Sequence, residues 1–177
     1  AWLLTATVLV LMMSVPGLAL FYAGLVRTKN TVSMLMQVMA IVCLVCLIWI
    51  AYGYSMTFSG GLWSSYFGGL SKGFMRGVTS DSLAATHTNG VAIPELVFVA
   101  FQMTFACITP AIIVGAFAER MRFSAVLVFV ALWVTFVYAP IAHMAWYGPS
   151  PDALADAARA VQAATTAEAK AKAEAAL

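Results

Sequence analysis

Charged residues divide the chain into long apolar runs. The first extends from Ala1 to Val26, a second covers roughly Val32 to Phe58, a third runs from Leu96 to Ala118 between Glu95 and Glu119, and a fourth from Phe123 to about Trp146. About 20 apolar residues suffice to span a bilayer, and a charge at its centre costs at least a few kcal/mol. The pattern therefore predicts four transmembrane helices in an all-α, polytopic transmembrane bundle. The first run lacks a basic n-region, is too long for a signal-peptide h-region and leads into a hairpin. It reads as a membrane span, and the chain is expected to begin at a processed or trimmed end.

The connections give direction to this bundle. Arg27 and Lys29 follow the first helix, and Arg120 and Arg122 follow the third, so the basic connections share one side. By the positive-inside rule that side is cytoplasmic, and the amino terminus is external. Between helices two and three, Ser59 to Glu95 holds seven of the twelve glycines, with Lys72 and Arg76 opposed by Asp81 and Glu95. An irregular external loop is expected there. Pro94 and Glu95 suit the start of helix three, since proline loses nothing in a first turn and a carboxylate faces the positive end of the dipole.

Beyond Pro149 the pattern changes. Residues 1–149 read as a transmembrane domain, and 150–177 as an alanine-rich external helix or insertion opened by Ser150, Pro151 and Asp152. Its apolar side chains beyond alanine, Leu154, Val161 and the terminal Leu177, form almost no stripe, which fits a solvated spacer better than a partner-binding helix. Within the spans, Pro16 with Gly17, Pro110 and Pro140 are expected to interrupt helices one, three and four. Ala19 with Ala23, and Ala111 with Gly115, are small pairs at four-residue spacing that allow close backbone approach.

Composition narrows the function. Of 177 residues 63% are hydrophobic and 9% charged, which excludes an ordinary soluble domain, and a net charge of +2 gives no basic surface for nucleic acid. Seven of the sixteen charges fall in residues 150–177, leaving nine for the first 149. Catalysis lacks its parts, so an enzyme is not expected. Cys43 and Cys46 form a C-x-x-C in the middle of an apolar run with no second pair. We read them, with Cys107, as small core residues rather than metal or redox ligands. His87 lies in the loop and His143 near the outer end of helix four, neither with an acidic partner at helical spacing. Glu119, beside Arg120 and Arg122, reads as a snorkelling or paired structural residue. No cofactor and no metal is expected.

The aromatics carry more. Phe101 and Phe105 share one face of helix three, at depths of about 9 and 15 Å from Glu95 at 1.5 Å per residue. Helix four returns Trp146 to the same level. Two readings stand on this pattern: an aromatic vestibule open to the outside, or an interfacial belt tryptophan beside packed phenylalanines.

Six segments, read as words, carry a resemblance. Pro16 to Arg27 (PGLALFYAGLVR), Lys29-Asn30, Ala51 to Ser55 (AYGYS), Val99 to Thr109 (VAFQMTFACIT), Gly115 to Ala125 (GAFAERMRFSA) and Pro140 to Trp146 (PIAHMAW) occur in one order. Over residues 1 to about 146 the chain closely resembles the amino-terminal part of the ammonium transporter family, the Amt type related to Rh proteins. The resemblance implies a multi-pass ammonium/ammonia channel or transporter of the cell (inner) membrane, with about eleven helices per subunit, assembled as a homotrimer and accepting methylammonium as an analogue. This chain would hold the first four helices. The family's outer recruitment site matches Phe101, Phe105 and Trp146, with Phe105 also part of the phenylalanine gate. Aromatic faces suit a small cation with no side chain to recognise, because they attract it by cation–π interaction where a carboxylate would hold other cations as well.

The departures are equally specific. The family's paired pore histidines, its acidic residue after the fourth helix, the serine of the outer site and the second gate phenylalanine belong to segments absent here, and His143 is not one of the pore pair. Where the family continues into GALDFAGG, this chain enters the alanine-rich stretch. An ammonium sensor built on the same domain and a structural membrane subunit are the alternatives. The first requires an attached signalling module, and the second has no need of three aromatics at one level.

Overall fold

The structure, a computed structural model, describes residues 1–60, 66–86, 88 and 90–148. Four helices are long and apolar enough to cross a membrane: α1 Trp2–Leu25, α2 Thr28–Phe58, α3 Glu95–Phe117 and α4 Phe123–Trp146. They match the four apolar runs to within a few residues. The largest shift is at α2, where a short 3-10 turn at Thr28–Asn30 leads into the span. Residues 1–82 and 94–147 make one compact unit, and the segment 83–93 is described by itself. The expected helix at 150–177 and His87 lie outside the described residues.

Helix α2 is the centre of the four. Met34, Val38, Ile41, Val45 and Ile48 recur at spacings of three and four and are all buried, the stripe that a 3.6-residue period places on one face. Val99, Ala106, Cys107, Ala111 and Val114 of α3 and Val126, Val130 and Val134 of α4 join them in one apolar core. Stiff valines and small alanines lose little side-chain freedom on packing and let backbones approach, which matters where lipid and core are equally apolar.

Three helices contain a wider π-type turn. In α1 it lies at Met13–Leu18 around Pro16, and Val15 leaves helical geometry there (φ −106°, ψ 41°). Proline lacks an N–H and crowds the carbonyl four residues back, so a kink follows. In α4 the turn at Val134–Tyr138 precedes Pro140, which sits in the first turn of the next segment. The turn at Trp49–Gly53 in α2 has no proline and was not foreseen. Conversely, the interruption expected at Pro110 is absent: α3 is continuous from Glu95 to Phe117. Pro110 is itself buried beside Ala106, Cys107 and Ala111, so packing holds the backbone helical although one hydrogen bond is missing.

The small pairs behave as the spacing predicts. Ala19, Ala23 and Ala111 are buried, and a Cβ on Gly115 would stand 2.6 Å from the Tyr22 ring. Tyr22 uses that space to donate a hydrogen bond to the Ile112 carbonyl, 2.7 Å away. Both short connections lie at this end of the bundle. Glu119, in left-handed backbone geometry (φ 61°), pairs with the α1–α2 connection rather than with Arg120 or Arg122. Its carboxylate accepts from the Asn30 side-chain amide (2.6 Å), the Arg27 backbone N–H (3.2 Å) and the Arg27 guanidinium (3.4 Å). Neighbours in sequence point apart at a helix end, whereas the turn aims Glu119 across to the other connection.

The loop between α2 and α3 is more regular than its glycines suggested. Leu83–Ala85 and Ala92–Pro94 form a two-stranded hairpin, closed by Thr86, whose N–H (3.3 Å) and hydroxyl (2.7 Å) both donate to the Val91 carbonyl. Strands of three residues carry too little alternation to be recognised.

The Asn30 amide, and after it the Arg27 guanidinium, hold the Glu119 carboxyl below the usual carboxylate range. A depressed folded-state pKa gives stability that is present above the unfolded value of about 4.3 and lost as the pH falls through the folded one. In a full-length protein carrying this chain, Glu119→Gln is expected to lower the Tm in detergent at pH 7. The difference from the unsubstituted protein should shrink below about pH 4, and thermal melts across pH 3–8 check this.

Candidate functional site

At the end of the bundle opposite Arg27, α3 and α4 bring three aromatic side chains into sequence. Phe101 and Phe105 meet edge to face with centroids 5.0 Å apart, and Phe105 meets Trp146 at 6.3 Å and 68°. Both phenylalanines are half-buried, and Trp146 is 40% exposed. The four-residue spacing on α3 stacks the first pair. The second contact depends on the register of α4, which the sequence does not state.

That register has its own fastening. His143, one turn before Trp146, is buried, and its Nδ1 lies 2.7 Å from the Thr57 carbonyl near the end of α2. A carbonyl only accepts, so Nδ1 donates. The imidazole also stacks on Tyr147 at 4.6 Å. His143 therefore positions the end of α4 that bears Trp146, a role that a search for acidic partners missed. On α3, the Thr104 and Thr109 hydroxyls donate to the carbonyls of Phe101 (2.6 Å) and Phe105 (2.7 Å).

A second polar feature lies at the start of α3. Glu95, expected to face the positive end of the helix dipole, opens α3 and is only 4% exposed. Its carboxylate accepts from the Tyr54 hydroxyl (2.8 Å) and from the Lys72 ammonium, and its N–H donates to the Ser82 carbonyl (2.8 Å). Tyr54 belongs to a group of rings, with Trp49, Phe58 and Phe98, that meet one another edge to face or tilted at 4.9 to 6.3 Å, and the Trp49 indole donates to the Val99 carbonyl at 3.2 Å. A pairing between residues 23 positions apart, one of them in a glycine-rich loop, leaves no periodic signal.

The cysteines do not form the expected common core. Cys107 is buried and its sulfur lies 3.6 Å from that of half-buried Cys46, while Cys43 is exposed. Cys46 sits at the flank of the buried stripe of α2, and Cys43, about 60° further round the helix at 100° per residue, lies opposite that stripe. Among the described residues no group of three or more His, Cys, Asp or Glu is placed to hold a metal ion. A separate apolar cavity of about 870 Å³ is lined by Tyr52, Met56, Leu70, Phe74, Arg76 and Thr135 and includes none of the three aromatics.

Comparison with known proteins agrees with this architecture. The model of the Ammonium Transporter Family matches residues 1–160. The ammonium transporter of Bacillus subtilis is 45% identical over 133 residues, which is 75% of this chain and 31% of that protein. The ammonium transporter Amt1 of Archaeoglobus fulgidus is 41% identical over 148 residues, 84% of this chain and 34% of that protein. The crystal structure of Candida albicans Mep2 superposes with a TM-score of 0.69 at 32% identity, covering 84% of this chain and 31% of its own. The chain thus spans about a third of the length of these relatives. With four matching spans and a family match over most of its length, the chain belongs to the ammonium transporter family.

Proposed function

We propose that the full protein carrying this chain conducts ammonium across the cell (inner) membrane and that Phe101, Phe105 and Trp146 form its outer recruitment site. The observation that carries this reading is the edge-to-face meeting of half-buried Phe105 with Trp146, which is 40% exposed. A cation near such rings is attracted by the quadrupole without a fixed charge. Phe105, beneath Phe101 and beside Trp146, is also the gate. In support, the relatives that match most of this chain are named ammonium transporters.

Magnitudes bound the mechanism. A desolvated cation–π contact is worth about 2 kcal/mol, whereas an ion inside protein carries an effective dehydration penalty of several kcal/mol. Recruitment alone does not carry the charge inward. Proton and neutral ammonia then cross separately or in sequence past Phe105, assisted by histidines outside this chain. The subunit works as a homotrimer, an assembly taken from the family resemblance.

The basic connections at Arg27 and Arg120 set the orientation: both are cytoplasmic, and the amino terminus is external. In intact cells, a cysteine replacing Thr28 or Met121 is expected to react with an impermeant thiol reagent only after the cytoplasmic face is opened. Labelling from outside would reverse the topology.

Site substitutions test the recruitment itself. In the full-length protein, Trp146→Leu removes the largest π face and keeps an apolar residue at the helix end. Loss of roughly 1–2 kcal/mol corresponds to about five- to thirty-fold weaker half-saturation for methylammonium, with poorer discrimination against sodium. Phe105→Ala should alter conduction or selectivity as well as affinity. Uptake against concentration at equal membrane expression measures both, and an unchanged Trp146→Leu variant would return that residue to the interfacial belt.

A further inference from the structure

The buried carboxylate of Glu95 is built as a cation site, and the chain fills it with its own ammonium group. Three observations place Lys72 there. The loop is first fixed to the end of α2: the Gly68 N–H donates to the Met56 carbonyl (2.8 Å), and the Ser55 and Ser59 hydroxyls both donate to the Gly69 carbonyl (2.8 and 2.9 Å). Gly68 approaches so closely that a Cβ would stand 2.5 to 2.7 Å from the carbonyl oxygens of Met56, Ser59 and Ser55, leaving room for glycine alone. The Lys72 N–H then donates to Ser55 Oγ (3.0 Å), which commits its side chain toward α3. There the ammonium pairs with Glu95 and lies 5.7 Å from the centre of the Tyr54 ring. Carboxylate and aromatic face are together the chemistry that binds a primary ammonium ion.

We propose that Lys72 is a tethered cation that occupies the Glu95 site and so keeps inorganic cations from collecting at the aromatic mouth. Glu95 lies six residues before Phe101 on one helix, about 9 Å along its axis. That is about one Debye length, roughly 8–10 Å at ordinary ionic strength. An unneutralised carboxylate at that distance would attract sodium and potassium as readily as ammonium. With Lys72 in place, the aromatic rings discriminate without competition. The selectivity part of this inference rests on the transport reading above, while occupancy of the Glu95 site does not.

The test uses potassium as the probe and choline chloride as the ionic-strength control, on the full-length protein. Lys72→Ala is expected to melt at a lower temperature in choline and to regain several degrees in 100 mM potassium, because an ion that binds only the folded state stabilises it by mass action. The unsubstituted protein, Glu95→Gln and the Lys72→Ala/Glu95→Gln double variant should respond no more to potassium than to choline. Lys72→Met keeps the apolar stem and gives the same comparison should the alanine variant not fold. In uptake assays potassium should raise the methylammonium KM of the Lys72 variants several-fold and leave the double variant unaffected, a split that a merely structural lysine would not produce. Lys72 variants whose melting is no more potassium-dependent than that of the double variant would overturn the proposal. Absence of methylammonium uptake by the unsubstituted protein would instead overturn the transport reading and leave the melting comparison standing.

Discussion

Helix-to-helix fit along α2 is the constraint on which the remaining structure depends. Apolar surface is no reason for membrane helices to associate when the surroundings are equally apolar, so shape has to supply it. The buried stripe of Met34, Val38, Ile41, Val45 and Ile48 faces alanines, valines and Cys107 on α3 and a valine ladder on α4. That contact continues through the π-type turn at Trp49–Gly53, where the Trp49 indole reaches across to the Val99 carbonyl. A change of register along this seam would move Phe105 away from Trp146 and Glu95 away from Tyr54 together.

The two ends of the bundle use polar groups differently. At the end bearing Arg27, Glu119 ties one connection to the other through exposed hydrogen bonds that solvent weakens. At the opposite end Glu95, Tyr54 and His143 are buried: Glu95 pairs with Tyr54 and with Lys72, whose side chain is about one-third exposed, and His143 with the Thr57 carbonyl. A buried charge or imidazole is tolerated only when it is partnered, and each partner fixes a helix end. The start of α3 and the end of α4 are held in this way, and those are the two ends that carry the aromatic residues. The aromatic residues are thus positioned by polar contacts that are not part of the aromatic cluster.

Much of this was legible in the sequence, for a physical reason. Charges are so costly at mid-bilayer that their absence marks each span, and all four helices appeared where charge-free runs stood. The pairing of Phe101 with Phe105 followed from the helical period. What stayed hidden was which face of each helix turns inward, because in this chain exposed residues such as Leu47, Phe136 and Ile141 are as apolar as buried ones. Cys43 was misplaced for that reason. Long-range polar pairs were equally invisible: Lys72 with Glu95, Arg27 with Glu119 and His143 with Thr57 join positions separated by loops or whole helices. Pro110 shows the converse, a strong local signal overridden by packing.

The central claim is that an ammonium ion is held at the mouth by aromatic faces and not by a fixed negative charge. It is tested most directly by difference density in the full-length protein, with matched structures determined in methylammonium and in sodium. The account predicts a peak in methylammonium within about 6 Å of the Phe105 and Trp146 ring centroids, absent in sodium, with the Lys72 and Glu95 pair unchanged in both. A peak of equal height in sodium, or methylammonium bound against Glu95 in place of Lys72, would contradict it.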